Sequence, residues 1–512
     1  MLIALAYALA WGALLVNRGF YWDDWTLVGS SPGELVHRFW ELGLPWGGYF
    51  YAVILATPMP GLVGHVLAFL AYLASTLILH AILRRVPGLS RMDALAAALT
   101  FALLPVNYGR VALIDLMYGL SLLAFLAATW LLLRHVEVGG IARRLAALLL
   151  FAFSFYTASL LVLYAVPIAV AALAALRSGT GIRPLARRYA DFLVLPIAYW
   201  VLKALLFTPT GVYQGYNALS ARELLRVPQA MLSIPAQVLI EPLARAASVA
   251  GIIGLLAGVA IAVWLARRPR IVEGAAPVPT WILFVAGVLV LVLGVFPYLA
   301  VGRVPEIWDW SSRHQLLVPI GTGLLAAAAV RGVTMLGPAG RMAGVAVVGL
   351  LLGMSAVADA RTLVAYQVDW FKQQAIAETV GTLPEMAAAR HIRIVDTATA
   401  FDALRRTYRF YEYNAIFETA TGDERRLAAL RGSEPDPAKI DLLIARPAYH
   451  MRGYVPSPVD LELRISPGER PGVLELLRLL GLEAVGSASF GPEVSKLIDI
   501  RATTIATPGA AP

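Results

Sequence analysis

Stretches of about 20 mostly apolar residues, the length a helix needs to cross a bilayer, recur along most of this chain. They lie near 1–18, 61–83, 92–106, 111–133, 145–176, 190–207, 247–266, 280–301, 316–331 and 342–360. In hydrocarbon every backbone polar group needs an internal partner, so stretches like these fold as helices. Composition agrees: 59% of the 512 residues are hydrophobic and only 15% are charged, with a mean hydropathy of +0.71. Soluble domains carry roughly a quarter charged residues. The expected fold is a polytopic α-helical membrane protein.

The stretch 145–176 is long for one upright helix and short for two. Arginines decide between the options. They cluster at Arg84/Arg85/Arg91, Arg134/Arg143/Arg144, Arg177/Arg183/Arg187/Arg188, Arg267/Arg268/Arg270 and Arg331/Arg341. A hairpin turning near Tyr156-Thr157-Ala158-Ser159 places all five clusters on one side, as the positive-inside rule favours. The count is then about 11 spans, with the N-terminus in the cytoplasm and the C-terminus outside. The net charge of +9 belongs to basic cytoplasmic loops and is not read as nucleic-acid binding. Met1 to Val16 lacks a basic n-region and a small-residue cleavage site, and is expected to be a retained first span. The absence of cysteine excludes disulfides and thiolate metal sites.

From about Arg361 charged residues become frequent, so residues 1–360 are expected to form the membrane domain and 361–512 an extracytoplasmic (periplasmic) α/β domain. Its β-like runs are His391-Ile392-Arg393-Ile394-Val395 and Asp441-Leu442-Leu443-Ile444. A helical pattern covers Val473 to Leu482, with Gly481 near its end. The tail from Ala506 has the composition of a disordered segment.

Candidate chemistry gathers on the outer face. Tyr21-Trp22-Asp23-Asp24-Trp25 places two adjacent carboxylates just beyond the first span, where acids are tolerated and aromatic rings prefer to sit. The bland alternative is a polar loop with aromatic belt residues. Ser31 and Glu34 have capping-box spacing, and apolar residues at 35, 36, 39 and 40 predict an interfacial helix near 31–42. Beyond Asn107, Tyr108 and Arg110 lies Asp115, inside an apolar span; it is either a site residue or the partner of Arg110. Lys203 sits one turn below the outer end of its span, poised for phosphate or for snorkelling. Tyr213, Tyr216 and Asn217 belong to a Gly- and Pro-rich loop suited to stacking on a sugar or to forming a compact turn. In Trp308-Asp309-Trp310-Ser311-Ser312-Arg313-His314, Arg313 and His314 fall where a lipid phosphate would lie, and arginine suits bidentate phosphate recognition. No P-loop, dinucleotide fingerprint, zinc-protease helix or serine elbow is present, which disfavours an ATP-driven pump or a serine hydrolase.

An acid pair in the first outer loop, an interfacial helix after it, many spans and an outer C-terminal domain together resemble the GT-C glycosyltransferases. The likeness is to bacterial members related to protein mannosyltransferases and lipid A aminoarabinose transferases. It covers the layout of residues 1–360, and its specific motif is Trp22-Asp23-Asp24-Trp25, supported by Ser312-Arg313-His314. The resemblance implies inverting transfer of a sugar from a polyprenyl-phosphate donor to a lipid or glycan acceptor of the envelope, at a bacterial cytoplasmic (inner) membrane. Two departures stand: the second outer loop offers Asn107 where family members often have an acid, and the Trp-Trp-Asp signature of oligosaccharyltransferases is missing.

The expected roles are Asp24 as general base and Asp23 as orienting group, or the reverse, with Arg313, His314 and Lys203 as donor-phosphate ligands. Trp22, Trp25, Tyr108, Arg110, Asp115, Tyr213, Tyr216 and Asn217 are expected to line the substrate. A divalent cation (Mg or Mn) on Asp23 and Asp24 is left open. The rival readings are a transporter or flippase for polyprenyl-linked lipids or sugars, and a non-catalytic scaffold. Transporters hold substrate near mid-membrane in repeated halves, whereas here the polar residues gather at one face and no internal repeat is visible.

Overall fold

The computed structural model describes residues 1–505 except 178, 180, 216, 217, 242, 243, 245–250, 253, 255 and 261–277. The fold is mostly helical, with one small sheet near the C-terminus. The opening helices are α1 (Leu2–Trp11), α2 (Pro32–Glu41), α3 (Pro45–Leu55), α4 (Pro60–Leu83), α5 (Arg91–Leu103) and α6 (Leu116–Val138).

Among the described residues, five helices are long and apolar enough to cross a membrane: Pro60–Leu83, Leu113–Val138, Ala158–Leu176, Thr280–Leu299 and Gly337–Thr382. Two bent pairs raise the number to seven. They are Ile182–Arg188 with Ala190–Leu206, bent by 53°, and Asp309–Gln315 with Val318–Thr334, bent by 60°. Five to seven candidate spans among the described residues stand beside the expected eleven, and three stretches account for part of the difference. The first apolar helix, Leu2–Leu15, is shorter than a span. Helix α5 is 13 residues long. It ends at Leu103 because Pro105 forces Leu104 into an extended conformation. Most of the expected span at 247–266 lies outside the described residues, as does the tail from 506.

The stretch 145–176 does fold back on itself. Its first helix ends at Ser154 and the next begins at Ala158. Phe151 and Tyr164 have ring centroids 4.8 Å apart, whereas 13 residues of continuous helix would separate them by about 20 Å.

The expected domain boundary near 360 falls inside a single 46-residue helix, Gly337–Thr382, here called the long helix. At 1.5 Å per residue it is about 69 Å long. The composition shift at Arg361 marks the end of the apolar stretch, not of the helix, because Ala, Gln and Glu continue it well. It stops where Leu383, preceding Pro384, turns extended.

Beyond it lie β1 (His391–Asp396), β2 (Leu427–Leu430), β3 (Leu461–Pro467) and β4 (Ile498–Thr504). The sheet order is β2-β1-β3-β4. Strand β1 is parallel to both its neighbours, and β4 is antiparallel to β3. Ile392, Ile394, Leu463 and Ile465 share one buried cluster with Phe371, Ile376 and Val380 of the long helix. Asp441 to Ile444, read as a strand, is instead part of a short helix, Ile440–Ile444. Four apolar-rich residues carry too little periodicity to separate the two forms. The turn before it, with Asp436 accepting from the Ala438 N–H and Pro437 in first place, starts a helix. The expected helix at 473–482 is present as Val473–Ala484, with Gly481 inside it.

Candidate active site

The acid pair lies on a tight 3-10 turn, Trp22–Thr26, and its two members do different things. Asp24 is fully buried. Its Oδ2 accepts from the Tyr21 N–H at 2.9 Å and its Oδ1 from the Ile114 N–H at 2.7 Å. It stitches the turn at Trp22–Thr26 to the segment that leads into α6, and it is closed to a ligand. Burial pushes its carboxyl up to about 7, against backbone hydrogen bonds from Ile114, Tyr21 and Leu113 that favour the charged form.

A folded-state value raised in this way contributes stability that is fully present below about pH 4 and is lost as pH rises through about 7. Asp24→Asn lacks this component. The gap in thermal midpoint between wild type and this variant is therefore expected to narrow from about pH 5 to about pH 8; a gap that widens contradicts the assignment.

Asp23 points the other way. It is only partly buried, and its Oδ1 accepts from the Tyr411 hydroxyl at 2.6 Å. Arg38, Tyr213 and Tyr449 lie near one another and near Asp23. Helix α2 turns Arg38 inward with Leu35 and Phe39. Its capping box is formed as the sequence predicts, with Ser31 and Glu34 exchanging hydrogen bonds with each other's backbone N–H. Arg38 donates through Nη1 to the Thr26 carbonyl, while its buried Nη2 has no hydrogen-bond partner among the described residues. At the end of α2, Glu41 takes Arg446 in a two-pronged pair at 2.9 and 3.2 Å. That pair ties the membrane part to the C-terminal domain.

The second wall is the 3-10 turn Asp309–Gln315. The Trp22 indole donates to Asp309 Oδ1 at 2.6 Å, and its ring lies 5.0 Å from that of Trp310. Trp22 and Asp309 both hold left-handed backbone, with φ of 52° and 47°. For a residue as bulky as tryptophan this is an outlier, and such strain persists only where surrounding contacts over-determine it. Arg313 lies over Trp310 at 4.0 Å. Asp115 is buried, and its Oδ2 has no hydrogen-bond partner among the described residues. Gly109 separates the two: a Cβ there would sit 2.7 Å from both Arg313 Cβ and Asp115 Oδ2. Gly109→Ala is expected to cost about 1–3 kcal/mol through overpacking and to displace Arg313. Denaturation midpoints check this; an unchanged midpoint contradicts it.

Several predicted site residues are placed elsewhere. Arg110 does not pair with Asp115. It is sandwiched between Trp11 at 3.8 Å and Tyr72 at 4.3 Å, and donates to the Asn107 carbonyl. Trp25 is 4% exposed and donates to Gln373 of the long helix, and Tyr108 is buried with its hydroxyl 3.2 Å from Asp359. Both are packing residues, since no face of either is open to a substrate. His314 is mostly buried, 5.4 Å from the Tyr298 ring. Lys203 lies half-buried in the helix Ala190–Leu206, and no hydrogen bond or ion pair joins it to the site among the described residues. Tyr216 and Asn217 lie outside the described residues.

Sequence reasoning missed Tyr411, Arg446 and Tyr449, and gave Arg38 only as one of the polar residues between Ser30 and Tyr51. Tyr411 lies 388 positions from Asp23, and nothing in its neighbourhood marks it. Arg38 carried a signal, as a cation on the inward face of an amphipathic helix. Among the described residues no group of three or more His, Asp or Glu side chains is placed to hold a metal. With Asp24 sealed by backbone donors, the pair does not form a chelating set. No family model and no curated protein matches the chain.

Proposed function

We propose that the protein is an inverting glycosyltransferase that moves a sugar from a polyprenyl-phosphate donor to a lipid or glycan acceptor at the outer, periplasmic face of the cytoplasmic membrane. The observation that carries this reading is Asp23: a partly open carboxylate, held by Tyr411, with Arg38 and Asp115 within electrostatic reach and Arg313 next to Asp115 at Gly109. The base is therefore Asp23, and Asp24 is its scaffold. Asp23 takes the proton of the acceptor hydroxyl as that oxygen bonds to the anomeric carbon. The bond from that carbon to the phosphate oxygen breaks on the opposite face, and polyprenyl phosphate leaves. Cations preorganised near a leaving phosphate are most effective where water is excluded, and Arg313 is the cation proposed for that role. No step is routed through a metal.

Purified protein given radiolabelled polyprenyl-phosphate sugars and an envelope lipid extract tests the reading against a transporter. Label passing from the polyprenyl carrier to a new lipid or glycan supports the transferase. Label that crosses a vesicle bilayer while still on its carrier supports the transporter and sinks the proposal.

A further inference from the structure

The helix Val473–Ala484 carries more apolar surface than its own domain covers. Leu479 is buried in the core cluster, with Leu476 and Leu480 packed against it, and these three form one stripe at helical spacing. A second stripe beside the first is open. Val473, Leu474, Leu477 and Val485 are 75, 84, 59 and 78% exposed, with Gly481 and Ala484 exposed between them. Residues three and four apart share a helix face, so 473, 477, 481 and 484 make a row with Leu474 next to it. The charged residues Glu475 and Arg478 pair with each other beyond that row. An open apolar face of this kind marks contact with a protein or with a membrane.

The placement of the helix selects the membrane. Beyond its apolar stretch, which ends at Arg361, the long helix continues to Thr382. Strand β1 ends at Asp396, which Lys372 holds at 2.6 Å, about 15 Å back along the long helix from its end. Strand β1 therefore runs towards the membrane part, and β3, parallel to it, does the same. The chain leaves β3 at Pro467 and enters the helix at Val473, so the helix starts at the membrane-facing end of the sheet.

The helix also ends there. Arg18, just beyond the apolar helix Leu2–Leu15, donates to the Glu483 and Ala484 carbonyls at 2.9 and 3.2 Å. The Trp370 indole donates to the Glu483 carboxylate at 2.7 Å. Leu15 and Val16 are exposed at the end of the first apolar helix and bring the apolar surface of the membrane part up to this joint. Exposed Val485 continues that surface on the other side.

Charge sets the kind of lipid. Glu475, Arg478 and Glu483 give the helix one cation against two carboxylates. Attraction to acidic headgroups is therefore not what holds it, and apolar insertion is.

We propose that the helix Val473–Ala484 lies in the bilayer surface, on the leaflet next to the C-terminal domain, with Val473, Leu474, Leu477 and Val485 among the acyl chains. Trp370, at the joint, stacks on Trp25 at 6.4 Å, so the leaflet supports the domain close to the turn that carries Asp23. The contact requires a membrane around residues 1–360 and does not depend on sugar transfer.

The chain has no cysteine, so single cysteines can be labelled without background. Leu474→Cys, Leu477→Cys and a control, Arg501→Cys on β4, each carry a polarity-sensitive fluorophore in full-length protein held in phosphatidylcholine nanodiscs. Arg501 has a side chain 79% exposed, and all three substitutions replace exposed side chains, so the fold is kept. The labels at 474 and 477 emit at shorter wavelength, lose emission to nitroxide-bearing phosphatidylcholine and resist iodide in the buffer. The label at 501 does the reverse. The proposal is overturned if iodide quenches the labels at 474 and 477 as strongly as the one at 501, the signature of a helix in water. It is also overturned if those two labels resist both quenchers, the signature of a protein partner such as a second copy. Neither result bears on the transfer assay, and a failed transfer assay leaves the lipid contact standing.

Discussion

Asp23→Asn is expected to lower the rate of sugar transfer by about 10²–10⁴-fold, the usual contribution of a positioned general base. The amide keeps the shape of the side chain and its hydrogen bond from Tyr411, so folding and donor binding persist while proton acceptance is lost. The neighbouring Asp24→Asn has a different signature. An asparagine offers one acceptor oxygen where the Tyr21 and Ile114 N–H groups need two, so it lowers stability and acts on the rate only through the position of Asp23. Parallel kcat and thermal midpoints of the two variants separate these roles. A rate loss confined to Asp24→Asn would restore the pair's other member as base.

Arg406→Met is expected to destabilise the protein by about 3–5 kcal/mol, the range for removing one partner of a buried ion pair. Arg406, Asp369 and Glu412 are all fully buried at their side chains. The variant leaves two carboxylates without a cation, one on the long helix and one that also accepts from the Trp22 N–H. Replacing the triad together, with Asp369→Asn, Arg406→Met and Glu412→Gln, is expected to recover most of the loss, because no buried charge remains unpaired. Unfolding midpoints followed by tryptophan fluorescence give the answer. A loss below about 1 kcal/mol in the single variant, the level of an exposed pair, contradicts the buried-triad account.

The parts of the fold legible in the sequence were those governed by local periodicity and capping. The Ser31–Glu34 capping box, the inward stripe of α2, the strand at 391–396 and the fold-back near 155–157 all rest on residues close together in the chain. Hydropathy alone does not reveal that Pro105 truncates α5 or that the apolar stretches 182–206 and 309–334 are bent. The long helix hid the domain boundary, since helix propensity continues where hydropathy stops.

The site divides in the same manner. The turn at 22–26 and the Arg313 segment announced themselves by composition. Which of Asp23 and Asp24 is open depended on backbone donors from residues 21 and 114. The contact that singles out Asp23 comes from Tyr411, in a domain whose placement over the membrane part no local pattern encodes.

The measurement that bears most directly on the central claim is the anomeric configuration of the product, read by NMR after transfer from a polyprenyl-phosphate sugar of known anomer. One open carboxylate acting as base permits a single displacement, and the product carries the inverted configuration. Retention requires a second, nucleophilic group and a covalent sugar–enzyme intermediate. A retained anomer, or no transfer from any donor, contradicts the assignment of Asp23.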